Sequence, residues 1–162
     1  MKISTKTGDK GCTSNLSGDR ILKSSIEIEL VGEIDELQAF LGNCKVLLKK
    51  GELFDFVDTI QENLYILMAI VSAKGKEMDL CCTIEASLKK MESIIEDYEK
   101  EIGEITEFIK PGESAISTSF HIARAVCRRC ERTLIVAKLD RPVLYKYINR
   151  LSDLLFVLAV GE

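Results

Sequence analysis

Three arginines recur at four-residue intervals near the middle of the second half of the chain. Because four residues make slightly more than one helical turn, Arg124, Arg128 and Arg132 would lie on one face of a helix. Like charges at this spacing repel by about 0.2–0.5 kcal/mol per pair, and Glu131 can neutralise only part of the charge. Two interpretations follow: a solvated face with salt bridges to neighbouring helices, or a binding site for a polyanion, since guanidinium groups match phosphate oxygens.

A second candidate anion site lies in the polar segment at the start of the chain. Residues 5–14 read Thr-Lys-Thr-Gly-Asp-Lys-Gly-Cys-Thr-Ser. Glycines let backbone amides point at a ligand, hydroxyl groups add donors and lysine adds positive charge, as in a phosphate-binding loop. The segment is not a Walker A loop, because the Gly-Lys-hydroxyl ending is missing and no strand is predicted before it. A flexible polar tail is the alternative interpretation.

Polar side chains also lie beside the apolar stripes of two other segments. Asp35 shares a helical face with Val31, and Asn149 and Asp153 lie one turn apart beside leucines. A carboxylate next to the contact between packed helices is costly unless it is paired, and Arg124 is a natural partner for Asp35. An ordinary structural ion pair and a functional one are both compatible with this pattern.

Five stretches with apolar residues in alternating steps of four and three predict five amphipathic helices. Strand-like alternation is absent, so the predicted fold class is all-α: a five-helix up-and-down bundle, ferritin-like in style. Residues 1–162 would form a single domain, with a loop over residues 1–25 and the bundle over residues 26–162. The apolar stripes are Leu30, Ile34, Leu37, Leu41, Cys44 and Leu48; Leu53, Val57, Ile60, Leu64, Leu67 and Val71; Ile84, Leu88, Met91, Ile95, Tyr98 and Ile102; Ile116, Phe120, Ala123, Cys127, Cys130, Leu134 and Ala137; and Leu144, Ile148, Leu151, Leu155 and Leu158.

Composition excludes several classes of protein. A net charge of -4 argues against general nucleic-acid binding, which requires a basic surface. The polar start has no apolar signal region and the uncharged runs are too short for a membrane span, so a cytoplasmic location is predicted, with the six cysteines reduced.

Cys127 and Cys130 have zinc-ligand spacing, but His121 is the only histidine and both cysteines fall on an apolar stripe. Small core residues are therefore the favoured interpretation.

Taken together, seven segments resemble the PduO-type corrinoid adenosyltransferases, in order and over nearly the whole chain. The segments are Thr5-Lys-Thr-Gly-Asp-Lys-Gly11, Ser17-Gly-Asp-Arg20 with Lys23, Gly32-Glu-Ile-Asp-Glu-Leu37, Phe108-Ile-Lys-Pro-Gly112, His121-Ile-Ala-Arg124, Arg128-Arg-Cys-Glu-Arg132 and Asn149-Arg-Leu-Ser-Asp153. The chain departs from the family pattern mainly on the corrinoid side, where Lys110 replaces an apolar residue, Glu113 replaces a glycine and no arginine follows Ala159.

The resemblance implies a homotrimer with active sites between subunits, in which the N-terminal loop of one subunit closes over ATP lying on the arginine helix of its neighbour. The residues implied to bind ATP from the loop side are Thr5, Lys6, Thr7, Gly8, Thr13, Ser14 and Lys23. Those implied to bind it from the helix side are Arg128, Arg129, Glu131, Arg132 and Asn149.

The resemblance also implies the reaction. The Co(I) centre of a reduced corrinoid attacks the 5′ carbon of ATP, and triphosphate leaves as one piece, with Mg²⁺ bridging its oxygens. Phe108 would displace the lower ligand of cobalt, and Asp35 and Arg124 would form an ion pair at the subunit interface. The residues implied to be catalytic are Arg128, Arg132, Phe108, Asp35 and Arg124, and those on the corrinoid side are Phe108, Asp35, Arg124 and Asp153.

Three other functions remain as alternatives at this point. A regulator on the same scaffold would sense ATP or adenosylcobalamin without transferring the adenosyl group. A structural helical oligomer would use the arginines as salt bridges between subunits, and an ATP hydrolase would release phosphate or pyrophosphate without a corrinoid. For a transferase, the candidate protein partners are a corrinoid reductase and an adenosylcobalamin-dependent enzyme.

Overall fold

The computed structural model describes residue 4, residues 6–73 and residues 81–162, without the side chains of residues 81 and 82. These residues form five α-helices and two short β-strands. The strands are β1 (Cys12–Ser14) and β2 (Arg20–Leu22), and the helices are α1 (Ile26–Leu48), α2 (Glu52–Ser72), α3 (Cys81–Ile102), α4 (Ala115–Ala137) and α5 (Pro142–Gly161).

The apolar stripes predicted from the sequence form one shared core. Most of their side chains are buried and the remainder pack against the core as partly buried residues. Helix boundaries also follow the sequence: Pro142 lies in the first turn of α5, where its missing N–H costs little, and Gly51 and Gly103 adopt positive φ angles beside helix ends. The prediction of an all-α five-helix bundle is confirmed.

The five helices pack in the order α2, α1, α4, α5 and α3, and the contact between α2 and α3 closes this ring. Helix α4 lies between α1 and α5, α3 packs on α5, and α2 packs on α1 and touches α3. Asn43 near the end of α1 donates a hydrogen bond to Ser119 near the start of α4 (2.8 Å), so these two helices run antiparallel. Within residues 6–73 and 81–162, none of the helices combines the length and the apolar character that crossing a bilayer requires.

The N-terminal segment is more ordered than a loop. Strands β1 and β2 pair antiparallel, with Ser14 opposite Arg20, and Gly18 adopts φ +83° in the turn between them. Asn15 is buried, and its Oδ1 accepts a hydrogen bond from the Asp19 N–H at 2.8 Å. The prediction of loop throughout residues 1–25, with no strand, was wrong here, because three-residue strands are too short to show a period of two.

The two cysteines with zinc-ligand spacing are core residues. Cys127 and Cys130 are fully buried on α4, and the Cys127 thiol donates to the carbonyl of Ile148 across to α5 (3.4 Å). Burial raises the pKa of Cys130 to about 12 and raises the pKa of Cys127 well above its ordinary value. Both thiols therefore stay protonated at neutral pH, and the core interpretation is confirmed.

Replacing Tyr147 by phenylalanine should lower the free energy of unfolding by about 2 kcal/mol, because it removes a hydroxyl that lies beside two buried polar side chains. Tyr147 is fully buried, and its hydroxyl lies beside Asn63 and Ser87, whose side-chain polar atoms are also buried. Urea unfolding at fixed protein concentration would measure the change.

A matched control is Tyr145→Phe, since the Tyr145 hydroxyl donates to the carbonyl of Leu139 at 2.9 Å. This variant should lose about 1 kcal/mol. An unchanged stability of Tyr147→Phe would show that its hydroxyl contributes nothing to the buried polar cluster with Asn63 and Ser87.

Candidate functional site

The exposed face of α4 carries two arginines that are not used for internal salt bridges. Arg128 and Arg132 are exposed, one turn apart, and Arg132 donates a hydrogen bond to the backbone carbonyl of Arg128 (3.0 Å). In the part of the chain that the structure describes, neither guanidinium is paired with a carboxylate. An anionic ligand or another chain could therefore offset the repulsion between these two arginines.

Arg129 has a different environment from its neighbour Arg128. It lies about 100° further around α4, toward α1. Its Nε lies 3.4 Å from a carboxylate oxygen of Glu33, and a second ion pair joins it to Glu36. Arg129 is therefore held by salt bridges to α1 within one chain, and its role as an ATP ligand stays a prediction.

Replacing Arg129 by alanine should lower the free energy of unfolding, because it strands the carboxylate of Glu33. The Glu33 side chain is only 9% exposed, whereas that of Arg129 is 40% exposed. We therefore expect a loss of about 1–3 kcal/mol, less than for a fully buried pair. Chemical denaturation would measure it, and adding Glu33→Gln to the variant should recover part of the loss. An unchanged stability would show that the pair contributes nothing.

Glu131 and Asn149 join α4 to α5 beside the free arginines. The Asn149 side-chain amide donates a hydrogen bond to a carboxylate oxygen of Glu131 at 2.9 Å. Asp153, one turn beyond Asn149, accepts a hydrogen bond from Arg150 at 2.9 Å. The structure thus brings Glu131 and Asn149 into contact on the side of α4 that packs against α5, while their role as ATP ligands stays a prediction.

A cleft of about 450 Å³ opens along the same helix, one turn before Arg128. Arg124 and Phe156 form one wall, with the guanidinium 4.9 Å from the centre of the phenyl ring. Phe108 projects from the opposite loop with its side chain fully exposed (103%). The loop residues lining the cleft are Ile105, Thr106, Glu107, Phe108, Ile109 and Pro111. A large apolar ring facing an open cleft suits a large, partly apolar ligand.

His121 also borders this cleft. Desolvation and the neighbouring charge of Arg124 both lower the pKa of His121 from its ordinary value. At pH 7 the imidazole is therefore neutral and adds no charge to the wall. The positive charge of this part of α4 belongs to Arg124 and the two arginines beyond it.

A separate cleft of about 500 Å³ lies between the hairpin and the helices α1 and α2. Its polar lining includes Thr13, Ser14, Lys23 and Asp35. Asp35 is exposed, so it does not lie in the buried contact between helices that its apolar neighbours in the sequence suggested. Its carboxylate instead faces an open cleft together with the hydroxyl groups and the lysine of the N-terminal segment.

The hairpin gathers most of the predicted loop ligands. Gly8 lies so close to Lys23 that a Cβ atom at this glycine would be 2.9 Å from the lysine Nζ, and the backbone carbonyl of Thr7 is hydrogen-bonded to Arg20. Lys6 is exposed, and Thr5 lies outside the described residues. The segment therefore brings Gly8 against Lys23, and Thr13 and Ser14 line the same cleft as that lysine, an arrangement compatible with a phosphate-binding loop.

Within one chain, Asp35 and Arg124 lie on different clefts, whereas Lys23 and Arg129 line a third cleft together. Asp35 lines the cleft under the hairpin, and Arg124 lines the cleft that faces Phe108. Among the described residues, no salt bridge joins Asp35 to Arg124, and Arg128 lines neither cleft. The predicted ion pair stays a prediction about two chains.

Several side chains that build these clefts have no predicted role from the sequence. Met68 and Ser72 of α2 line the cleft under the hairpin, and Phe156 of α5 lies against Arg124. No sequence pattern shows which helix lies beside which, so these residues read as ordinary members of their helices. The sequence does single out Arg20, because it is the only arginine among residues 1–25 and lies in a segment rich in small polar residues.

The fold and the site define a helical-bundle protein with a cationic helix face beside a partly apolar cleft. Such an arrangement suits an anionic ligand bound next to a partly apolar one. The chain belongs to the cobalamin adenosyltransferase family, whose model matches residues 3–161.

Known proteins of this family are similar to nearly all of the chain. A corrinoid adenosyltransferase of Citrobacter freundii is 36% identical over 163 residues, which cover 98% of this chain and 93% of that protein. A corrinoid adenosyltransferase of Bacillus subtilis is also 36% identical, with coverage of 98% and 85%. A variant PduO-type ATP:corrinoid adenosyltransferase from Lactobacillus reuteri, complexed with cobalamin and ATP, superposes with a TM-score of 0.86 at 26% identity, covering 98% of this chain and 89% of that one.

Proposed function

We propose that this protein transfers the 5′-deoxyadenosyl group of ATP to the Co(I) centre of a reduced corrinoid, giving adenosylcobalamin and triphosphate. The observation that carries the proposal is the arginine face of α4. Arg124 lines the cleft beside Phe108, and Arg128 and Arg132 follow at one-turn intervals, exposed and without carboxylate partners among the described residues. The face therefore joins an apolar cleft to a site for several phosphates.

In this reaction the protein has to align the reacting atoms and stabilise the negative charge on the leaving triphosphate. A cobalt–carbon bond forms at C5′ while the bond from C5′ to the phosphate oxygen breaks, and triphosphate takes the electron pair. No proton is transferred, so no general base is required. We assign to Arg128 and Arg132 the stabilisation of negative charge on the departing triphosphate, because hydrogen bonds aimed at developing charge are the largest single source of such catalysis.

We place the corrinoid in the cleft between the loop that carries Phe108 and the wall formed by Arg124 and Phe156. The exposed phenyl ring of Phe108 can lie against the lower face of the corrin and keep the lower ligand from returning to cobalt. This function explains why a large apolar side chain is left fully exposed. Asp153, which is exposed on α5, is the remaining predicted corrinoid-side residue.

We propose that the active site is completed by a second copy of the chain in a homotrimer. The cleft under the hairpin contains the loop ligands and Asp35, whereas the arginine face lies on α4. Contact between these surfaces of two subunits would pair Asp35 with Arg124 and cover the triphosphate on both sides. Exposed apolar side chains on α4 support this contact: Ile122 (40%), Ile135 (58%) and Val136 (62%).

We propose that Mg²⁺ enters the site together with ATP. The described residues contain no group of three or more His, Cys, Asp and Glu side chains that could hold a metal ion. Mg²⁺ commonly binds to substrate phosphates and water with few protein ligands, so the residues present fit a Mg-ATP complex. When bound, it would neutralise charge on the triphosphate, while Lys23 and the arginines orient the same phosphates.

The test is anaerobic mixing of the purified protein with chemically reduced cobalamin and Mg-ATP. Formation of adenosylcobalamin, followed by its absorption spectrum, with one triphosphate per product, would support the proposal. Binding of ATP without product would indicate the regulator instead, and release of phosphate without corrinoid would indicate a hydrolase. The cytoplasmic location and the two candidate protein partners, a corrinoid reductase and an adenosylcobalamin-dependent enzyme, remain predictions.

A further inference from the structure

Arg20 is a cationic side chain whose hydrogen bonds go to the N-terminal segment itself. Its Nη2 donates to the backbone carbonyl of Thr7 at 2.8 Å and to that of Cys12 at 3.2 Å. Its Nη1 lies 3.4 Å from the hydroxyl oxygen of Ser14, the residue opposite Arg20 in the hairpin. One guanidinium therefore joins the turn before β1 to both ends of that strand.

These contacts define the shape of the segment that holds the predicted loop ligands. Backbone bonds also hold residues 6–11: one runs from the Lys23 N–H to the Gly11 carbonyl (2.9 Å), and two local turn bonds reach the carbonyls of Lys6 and Gly8. The bond from Arg20 to the Thr7 carbonyl holds this turn close to Lys23, where Gly8 lets the lysine approach closely. Without it, the turn would lose one of the contacts that fix Thr7 and Gly8 relative to the Lys23 ammonium group.

The contact with Ser14 adds an orienting effect. Because Arg20 donates to the Ser14 oxygen, the hydroxyl proton stays available for an acceptor in the cleft that Ser14 lines with Thr13 and Lys23. A hydroxyl held in this way can donate to a phosphate oxygen without first breaking a bond. Such preorganisation increases affinity by reducing the ordering cost of binding.

We infer that Arg20 is a positioning residue of the nucleotide loop, which fixes the loop in its binding shape through protein contacts instead of contacting phosphate. The inference rests on the proposed function, because it assumes that this loop binds ATP. The alternative is that the Arg20 guanidinium leaves its carbonyl partners and binds phosphate directly.

The test uses Arg20→Gln and Arg20→Lys, with Lys50→Met as a control that removes an exposed positive charge outside the loop, in the turn between α1 and α2. Loss of loop positioning should raise KM for ATP about tenfold in Arg20→Gln with kcat little changed, as expected when binding common to the ground and transition states is lost. Amide hydrogen exchange over residues 7–14 should become faster in the absence of ATP. Arg20→Lys should recover part of both effects, because lysine can replace one of the bonds. Lys50→Met should leave both near their original values.

Two results would overturn the inference. A higher KM with unchanged hydrogen exchange in the ATP-free protein would show that Arg20 contacts ATP directly, and unchanged values of both would show that it has no role in the loop. The exchange measurement does not depend on catalysis. A wild-type protein that failed to bind ATP would therefore refute the proposed function, and the effect of Arg20 on the loop would still be measurable.

Discussion

Replacing Arg128 by methionine should reduce kcat for adenosyl transfer by about 10²–10³-fold, the usual effect of removing one donor from a site of developing charge. Arg128 is exposed on α4 and has no carboxylate partner among the described residues. Its removal should therefore change the stability of the bundle little. Single-turnover mixing of reduced cobalamin with Mg-ATP would measure the chemical step without contributions from product release.

Two further variants make this test specific. Arg128→Lys keeps the charge but loses the planar fork, so we expect a smaller loss of about tenfold. Lys50→Met removes a positive charge from the turn between α1 and α2, and kcat should remain near the original value. If Arg128→Met kept normal kcat, the arginine face would not be the triphosphate site.

Replacing Phe108 by alanine should impair transfer to cobalamin by about 10²-fold, the size of effect that a misplaced reacting atom can cause. The phenyl ring is fully exposed in the cleft beside Arg124, where it can occupy the side of the corrin from which the lower ligand must leave. Without the ring, the ligand would return and hinder reduction of Co(II) to Co(I). Electron paramagnetic resonance of the Co(II) complex with ATP would report how much of the cobalt lacks its lower ligand.

The choice of corrinoid supplies the control for Phe108. Cobinamide lacks the nucleotide that carries the lower ligand, so Phe108→Ala should transfer the adenosyl group to cobinamide at nearly the original rate. Val46→Ala truncates another exposed apolar side chain, on α1, and should affect neither substrate. Equal losses with cobalamin and cobinamide would show that Phe108 serves general corrinoid binding instead of ligand displacement.

The helices were predictable because each buries a continuous apolar stripe. The spacing of Leu144, Ile148, Leu151, Leu155 and Leu158, for example, leaves only a helix that can bury all five side chains, and all five are buried. The hairpin was not predictable in this way. Its strands have three residues each, and their stability depends on contacts distant in sequence, such as the bond from the Leu16 N–H to the Ser72 hydroxyl (3.1 Å).

The sequence predicted which residue types form the candidate site, but it did not predict which side chains they contact. The four-residue spacing correctly puts Arg124, Arg128 and Arg132 along α4. It could not show that Arg129 would pair with Glu33 and Glu36, because a periodic pattern does not identify the neighbouring helix. Membership of the family came from the combined motifs, since spacing alone left both a salt-bridged face and a polyanion site open.

The separation of the hairpin cleft from the arginine face has a consequence for damaged chains in the proposed trimer. Each active site would consist of the N-terminal loop of one chain and the arginine face of a neighbouring chain. A chain with a defective loop or a defective arginine face would inactivate one active site and leave the other two active. A chain that folds and assembles but lacks both parts would inactivate two active sites at once, so single and double defects would lower the activity of a mixed trimer to different extents.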